Sequence, residues 1–109
     1  MGNSQKRLAE FPSEARNQAG FQLWRVQLGL QPESWKPMSS IGPGVCEIRV
    51  HEPHEHRVIY IAKYSDTIYV LHAFSKKTEK TAIRHLILAR TAYEEVQQHR
   101  KRLDTNENR

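Results

Sequence analysis

Apolar residues recur near the start of the chain at Phe11, Ala15, Ala19, Leu23, Val26 and Leu30. Steps of three and four put all six on one face of a helix. Arg16, Gln18, Gln22, Arg25 and Gln27 mostly fall elsewhere. Pro12 suits a first helical turn, where its missing N–H forfeits no bond, and Glu14 suits the positive end of the dipole. Gly29 followed by Pro32 predicts the stop. From Gln31 to Gly44 three prolines and two glycines predict a tethered loop, with Trp35, Met38 and Ile41 as its anchors.

At Val45 the period changes to two. Cys46, Ile48 and Val50 alternate with Glu47, Arg49 and His51, as a half-buried strand requires, which turns Arg49 away from the core. Residues 57–64 and 67–75 are rich in β-branched and aromatic side chains and predict two more strands, joined as a hairpin through Ser65-Asp66. The polar run 52–56 has the length of a turn, so the three strands form an antiparallel meander. A long helix follows from Thr81, a suitable N-cap, with the stripe Ala82, Leu86, Ala89, Tyr93, Val96. The expected fold is α+β: an N-terminal helix or helical pair packed on a three-stranded antiparallel sheet, then a C-terminal helix. Residues 1–109 form one domain, with 1–10 and 100–109 frayed.

Composition narrows the function classes. A chain of 109 residues suits one domain with a modest core. Lys plus Arg exceed Asp plus Glu by 17 to 12, for a net charge of +5 and a pI near 9.6, which favours an anionic partner such as nucleic acid. Cys46 is the only cysteine, so no internal disulfide forms. No apolar run approaches the roughly 18 residues of a membrane span, and the N-terminus lacks an apolar signal core, so a cytoplasmic location is expected. No phosphate-binding glycine loop, dinucleotide fingerprint, paired-cysteine zinc signature or nucleophile elbow is present.

The candidate chemistry gathers where the last apolar run gives way to a helix. Lys76, Lys77 and Lys80 fall within five residues. The helix that follows opens with Ala82, Ile83 and Arg84 and has no acid to offset its dipole, so phosphate is favoured there. Arg49 and Arg57 flank the polar turn on adjacent strands and are placed to share a face with Lys76 or Lys77, or else to pair with Glu47, Glu52 or Glu55. His51, His54 and His56 lie in a turn whose Pro53 makes a loose frame for a four-ligand zinc site, so no metal is expected. These histidines are alternatively RNA contacts or acid–base groups. His72 sits inside the third strand, either as a satisfied core histidine or as a proton-transfer group. Trp24, Tyr60, Tyr64, Tyr69 and Phe74 read first as core.

The segments Ile41-Gly-Pro-Gly-Val-Cys-Glu-Ile-Arg-Val50, Arg57-Val-Ile-Tyr-Ile-Ala-Lys63 and Val70-Leu-His-Ala-Phe-Ser-Lys-Lys-Thr-Glu-Lys-Thr81 resemble the phage-related, HigB-like branch of the RelE/ParE toxin superfamily. Phe11-Pro-Ser-Glu-Ala-Arg16 and Trp35-Lys-Pro-Met38 extend the likeness over residues 8 to about 98. It implies the toxin of a type II toxin–antitoxin pair: a ribosome-dependent mRNA endonuclease needing no cofactor, held by an antitoxin, expected to be a helix-turn-helix protein encoded beside it. Carried over by position, the resemblance gives Arg49, Arg57, His72 and Lys77 catalytic roles. It assigns Lys76 and Lys80 to RNA backbone, where Arg84 and His54 also belong by placement. Relatives begin with a further strand and commonly carry proline or serine after the last threonine, with an acid two residues on. Here about ten residues precede Phe11, and Ala82 and Arg84 stand at those two positions. Two other readings therefore stay open: a ParE-like gyrase poison, and an inactive remnant that binds antitoxin or nucleic acid.

Overall fold

The computed structural model describes residues 8–51, 54–64, 67–76 and 83–107, with side chains to residue 104. Helix α1 spans Ser13–Gln27. Four strands follow, β1 Trp35–Pro37, β2 Val45–Val50, β3 Glu55–Ile61 and β4 Tyr69–Lys76, and helix α2 spans Ile83–Glu107. The strands form one antiparallel sheet in the order β1-β2-β3-β4. The predicted meander is therefore β2-β3-β4, and the predicted three-stranded sheet is corrected to four.

Strand β1 escapes a sequence reading because it has three residues and contains proline. Pro37 biases Lys36 toward extended backbone, but it is pairing with Ile48, Glu47 and Cys46 that makes Trp35-Lys-Pro37 a strand. Pro37 is tolerated because β1 is an edge, where a missing N–H leaves no ladder partner unsatisfied. The ladder continues past both ends, with Arg49 N–H donating to the Ser34 carbonyl and Met38 N–H to that of Val45. Trp35, expected as an anchor, is exposed on this edge, whereas Met38 and Ile41 are buried as expected.

Each helix covers one side of the sheet. Phe11, Ala15 and Ala19 pack with Ile48, Val50, Val58, Tyr60 and Ala73. On the opposite side Ala89 and Val96 of α2, flanked by Leu86 and Tyr93, pack with Val45, Ile59, Ile61, Tyr69 and Leu71. Both predicted helical stripes thus reach the core, except that Ala82 and the expected cap Thr81 lie outside the described residues. Leu30 falls off the first stripe and is exposed. The cause is the helix end: Gly29, at φ +82°, donates to the Val26 carbonyl and Leu30 donates to that of Arg25, a Schellman stop that turns the chain outward. Trp24, read as core, is 52% exposed and packs on exposed Phe21, since both lie on the outer side of α1. Helix α2 runs on to Glu107, past Arg100, where the expected frayed tail begins.

Two local features shape the α2 side. Ile59 pairs with His72 and Tyr60 with Val70, so Leu71 is an extra residue in β4. Such a bulge sets Leu71 and His72 on the same side. Gly42 lies under Tyr93, where a Cβ would run into the ring, so this turn closes on α2 only without a side chain.

Candidate nucleic-acid interface

Pairing of β2 with β3 sets Arg49 directly opposite Arg57. Arg57 is two residues from Ile59, which faces α2, so period-two alternation puts Arg57, Arg49 and Glu47 on the α2 side as well. The alternation that turns Arg49 away from the core puts Glu47 on the same side, yet Glu47 is 1% exposed. With helices on both sides of the sheet, neither set of alternating positions is left open. A buried carboxylate requires compensation. Its Oε1 lies 3.4 Å from Arg49 Nε and 3.5 Å from Arg57 Nε, while Oε2 has no hydrogen-bond partner among the described residues.

The two arginines are unequal. The Arg57 side chain is 8% exposed and that of Arg49 35%. Arg57 Nη1 donates to Glu55 Oε2 at 2.9 Å and to the His56 carbonyl at 3.2 Å. Glu55 also accepts from His51 Nδ1 at 2.8 Å, and His51 Nε2 lies 3.2 Å from Ser34 Oγ. The hydrogen bond from His51, then that from Arg57, holds the Glu55 carboxyl down at about 2. A chain of polar contacts therefore runs from Ser34 through His51, Glu55, Arg57 and Glu47 to Arg49, and of the two arginines Arg49 is the one at the surface.

On β4, His72, Phe74 and Lys76 follow one another on the same side. His72 is 2% exposed, and its Nε2 lies 2.9 Å from Nδ1 of His85 in the first turns of α2. The His85 ring stacks on Phe74 with centroids 4.1 Å apart. His85 was missed from sequence although a signal existed: it stands four, seven and eleven residues before Ala89, Ala92 and Val96, on the inward face of α2. Arg84 beside it is exposed.

At the end of the sheet where β2 stops and β3 starts, Lys76 pairs in register with Glu55. His54 lies in the preceding turn with φ +61°, a left-handed conformation uncommon for a residue with a side chain. His54, Glu55 and Lys76 line a cavity of about 610 Å³ with Pro12, His56 and Ser75. The structure thus brings Arg49, Arg57, Lys76 and His54 to one end of the sheet, with His72 on the same face nearby. Lys77 and Lys80 lie outside the described residues. Among those described, no group of three or more His, Cys, Asp or Glu is placed to hold a metal ion, and no helix is long and apolar enough to cross a membrane.

Such an arrangement has the parts to grip a polyanion: a partly exposed arginine held by one buried acid, with Lys76 at the same end of the sheet and a pair of hydrogen-bonded imidazoles on the same face. No curated protein matches the chain. The pattern of a family described as phage-derived protein Gp49-like (DUF891) matches residues 6–94, which takes in α1, the whole sheet and the His85 end of α2. The chain accordingly belongs to the phage-derived Gp49-like family, a family of RelE/ParE-like toxins.

Proposed function

We propose that this protein is the toxin of a type II toxin–antitoxin pair, of the HigB-like kind, and that it stops translation by cutting mRNA on the ribosome in the cytoplasm. The observation that carries the reading is the in-register pair Arg49 and Arg57, with Lys76 and His72 on the same sheet face. In the proposed reaction a ribose 2′-oxygen bonds to the adjacent phosphorus while the 5′-oxygen leaves with a proton, giving a 2′,3′-cyclic phosphate. The protein aligns the 2′-hydroxyl, neutralises the phosphate and moves the proton. Arg49 and Lys76 reach the phosphate oxygens. Arg57, with its small exposure, supports them from below and completes the positive field. The His72–His85 pair supplies the proton-transfer group. Lys77 joins the catalytic group at the phosphate, and Lys80 and Arg84 hold RNA backbone. The partner that silences it is an antitoxin encoded alongside, expected to be of the helix-turn-helix kind.

Sequencing of RNA 5′ ends after brief induction tests this. The expected result is arrested translation with new cuts inside coding regions, both lost in Arg49→Ala and in Lys77→Ala. A DNA-damage response without mRNA cuts assigns gyrase poisoning instead. Unimpaired growth with intact mRNA leaves a binding remnant.

A further inference from the structure

The cavity at the open end of the sheet is chemically unlike the arginine pair beside it. Its walls are the Pro12 ring, the His54 and His56 imidazoles and the β4 residues Ser75 and Lys76, and Glu55 stands at its boundary with Arg57. About 610 Å³ is ample for one flat heterocycle and lies within the usual range of small-molecule sites. His56 is 2% exposed and fixed, with its ring 4.7 Å from that of Phe11 and its Nδ1 2.9 Å from Ser75 Oγ. His54 is held at φ +61°, so its imidazole is presented from a backbone conformation that costs energy, and strain of this kind gathers at ligand-binding positions. Cations and aromatic rings read single-stranded RNA by gripping phosphate and stacking unpaired bases.

We infer that this cavity is the base-recognition subsite of the proposed nuclease: it takes one unstacked base of the RNA while the neighbouring phosphate lies on Lys76 at the cavity's rim. The inference rests on the ribonuclease reading for its biological meaning, but its chemistry is separate. Pro12, the two imidazoles and Ser75 make walls suited to a flat ring, with the Glu55 carboxylate at the boundary, so the group that enters is the base. A carboxylate accepts hydrogen bonds only, and therefore selects bases that offer an exocyclic amino group: adenine, guanine or cytosine. Uracil, without an amino group, fits least well.

The test titrates the purified protein with the 5′-monophosphates of adenosine, guanosine, cytidine and uridine and with ribose 5-phosphate, following the imidazole NMR signals of His54 and His56. The three amino-bearing nucleotides should shift both signals saturably, uridine monophosphate several-fold more weakly, and ribose 5-phosphate should leave His54 unmoved. His54→Gly suits the left-handed backbone and so preserves the turn. It should weaken the amino-bearing nucleotides about tenfold, the loss expected for one stacking partner. Ser75→Ala should alter the preference among bases. Equal binding of all five probes, or unchanged affinities in His54→Gly, overturns the inference. In cells, His54→Gly should cut mRNA less often, and the remaining cuts should show a broadened base preference at one position. Base-selective binding with no mRNA cut by the parent protein removes the nuclease reading and leaves the base subsite standing.

Discussion

Arg49 and Arg57 face each other across β2 and β3 and share one acceptor: Glu47 Oε1, 3.4 Å from the first Nε and 3.5 Å from the second. Two guanidinium groups this near repel, and the carboxylate between them makes the pairing tolerable while leaving Arg49 partly at the surface. The proposed RNA grip is thus built on an acid that never meets solvent.

Removing that acid should cost stability before it costs chemistry. Glu47→Ala is expected to lower unfolding free energy by about 3 kcal/mol, the lower end for breaking a buried ion pair, because Arg57 keeps Glu55. Glu47→Gln preserves the volume and should lose less. Urea unfolding measures both; an alanine variant as stable as the parent would show that the arginines do not depend on Glu47.

Gly42 and Gly20 should answer oppositely to alanine. At Gly42 the added methyl runs into the Tyr93 ring and forces the turn off α2, for an expected loss of about 1–3 kcal/mol. Nothing lies within 4 Å of a Cβ at Gly20, inside α1, so alanine there should stabilise by roughly 0.5–1 kcal/mol. Thermal unfolding of the two variants distinguishes them by the sign of the shift in Tm.

Glu55 predicts an acid-sensitive window. Its carboxyl sits at about 2 in the folded protein against 4.5 without its partners, so it titrates at lower pH when folded. Its contribution to stability is complete above pH 4.5 and fades as the pH falls towards 2. Glu55→Gln should therefore be less stable than the parent at neutral pH, with the two converging across this window. Parallel curves of stability against pH would contradict the assignment.

Cys46 is half-buried opposite Tyr60, and burial raises its thiol pKa more than the Tyr60 hydrogen bond lowers it. Little thiolate forms near neutrality, so alkylation by iodoacetamide at pH 7.5 should be far slower than in denaturant. Mass spectrometry after timed quenching reads this directly; equal rates in the two states would be incompatible with the packing.

His85→Phe keeps an aromatic ring against Phe74 and removes the 2.9 Å bond to His72. If the imidazole pair moves the proton, RNA cleavage should fall about a hundredfold, the lower end of what acid–base groups supply, and Tm should fall by roughly 4–8 °C because buried His72 loses that hydrogen bond. Full activity would place proton transfer elsewhere.

What the chain determines by itself is whatever depends on neighbours in sequence. Ala15 and Ala19, or Ala89 and Val96, share a face because the helix repeat puts them there, so both stripes were legible before any fold was known. The β2-β3-β4 meander was legible too, since short polar links leave adjacent strands few ways to pair. Arg49 and Arg57 flank one such link, which is why their meeting across the sheet was foreseen. Only the tertiary structure made Trp35–Pro37 a strand, because its hydrogen bonds come from β2 and not from its own composition. It alone buried Glu47, since alternation does not say that both sides of a sheet will be covered. And it alone brought His85 onto Phe74 and His72, where the packing angle of α2 decides which residue of a helical stripe meets which residue of a strand.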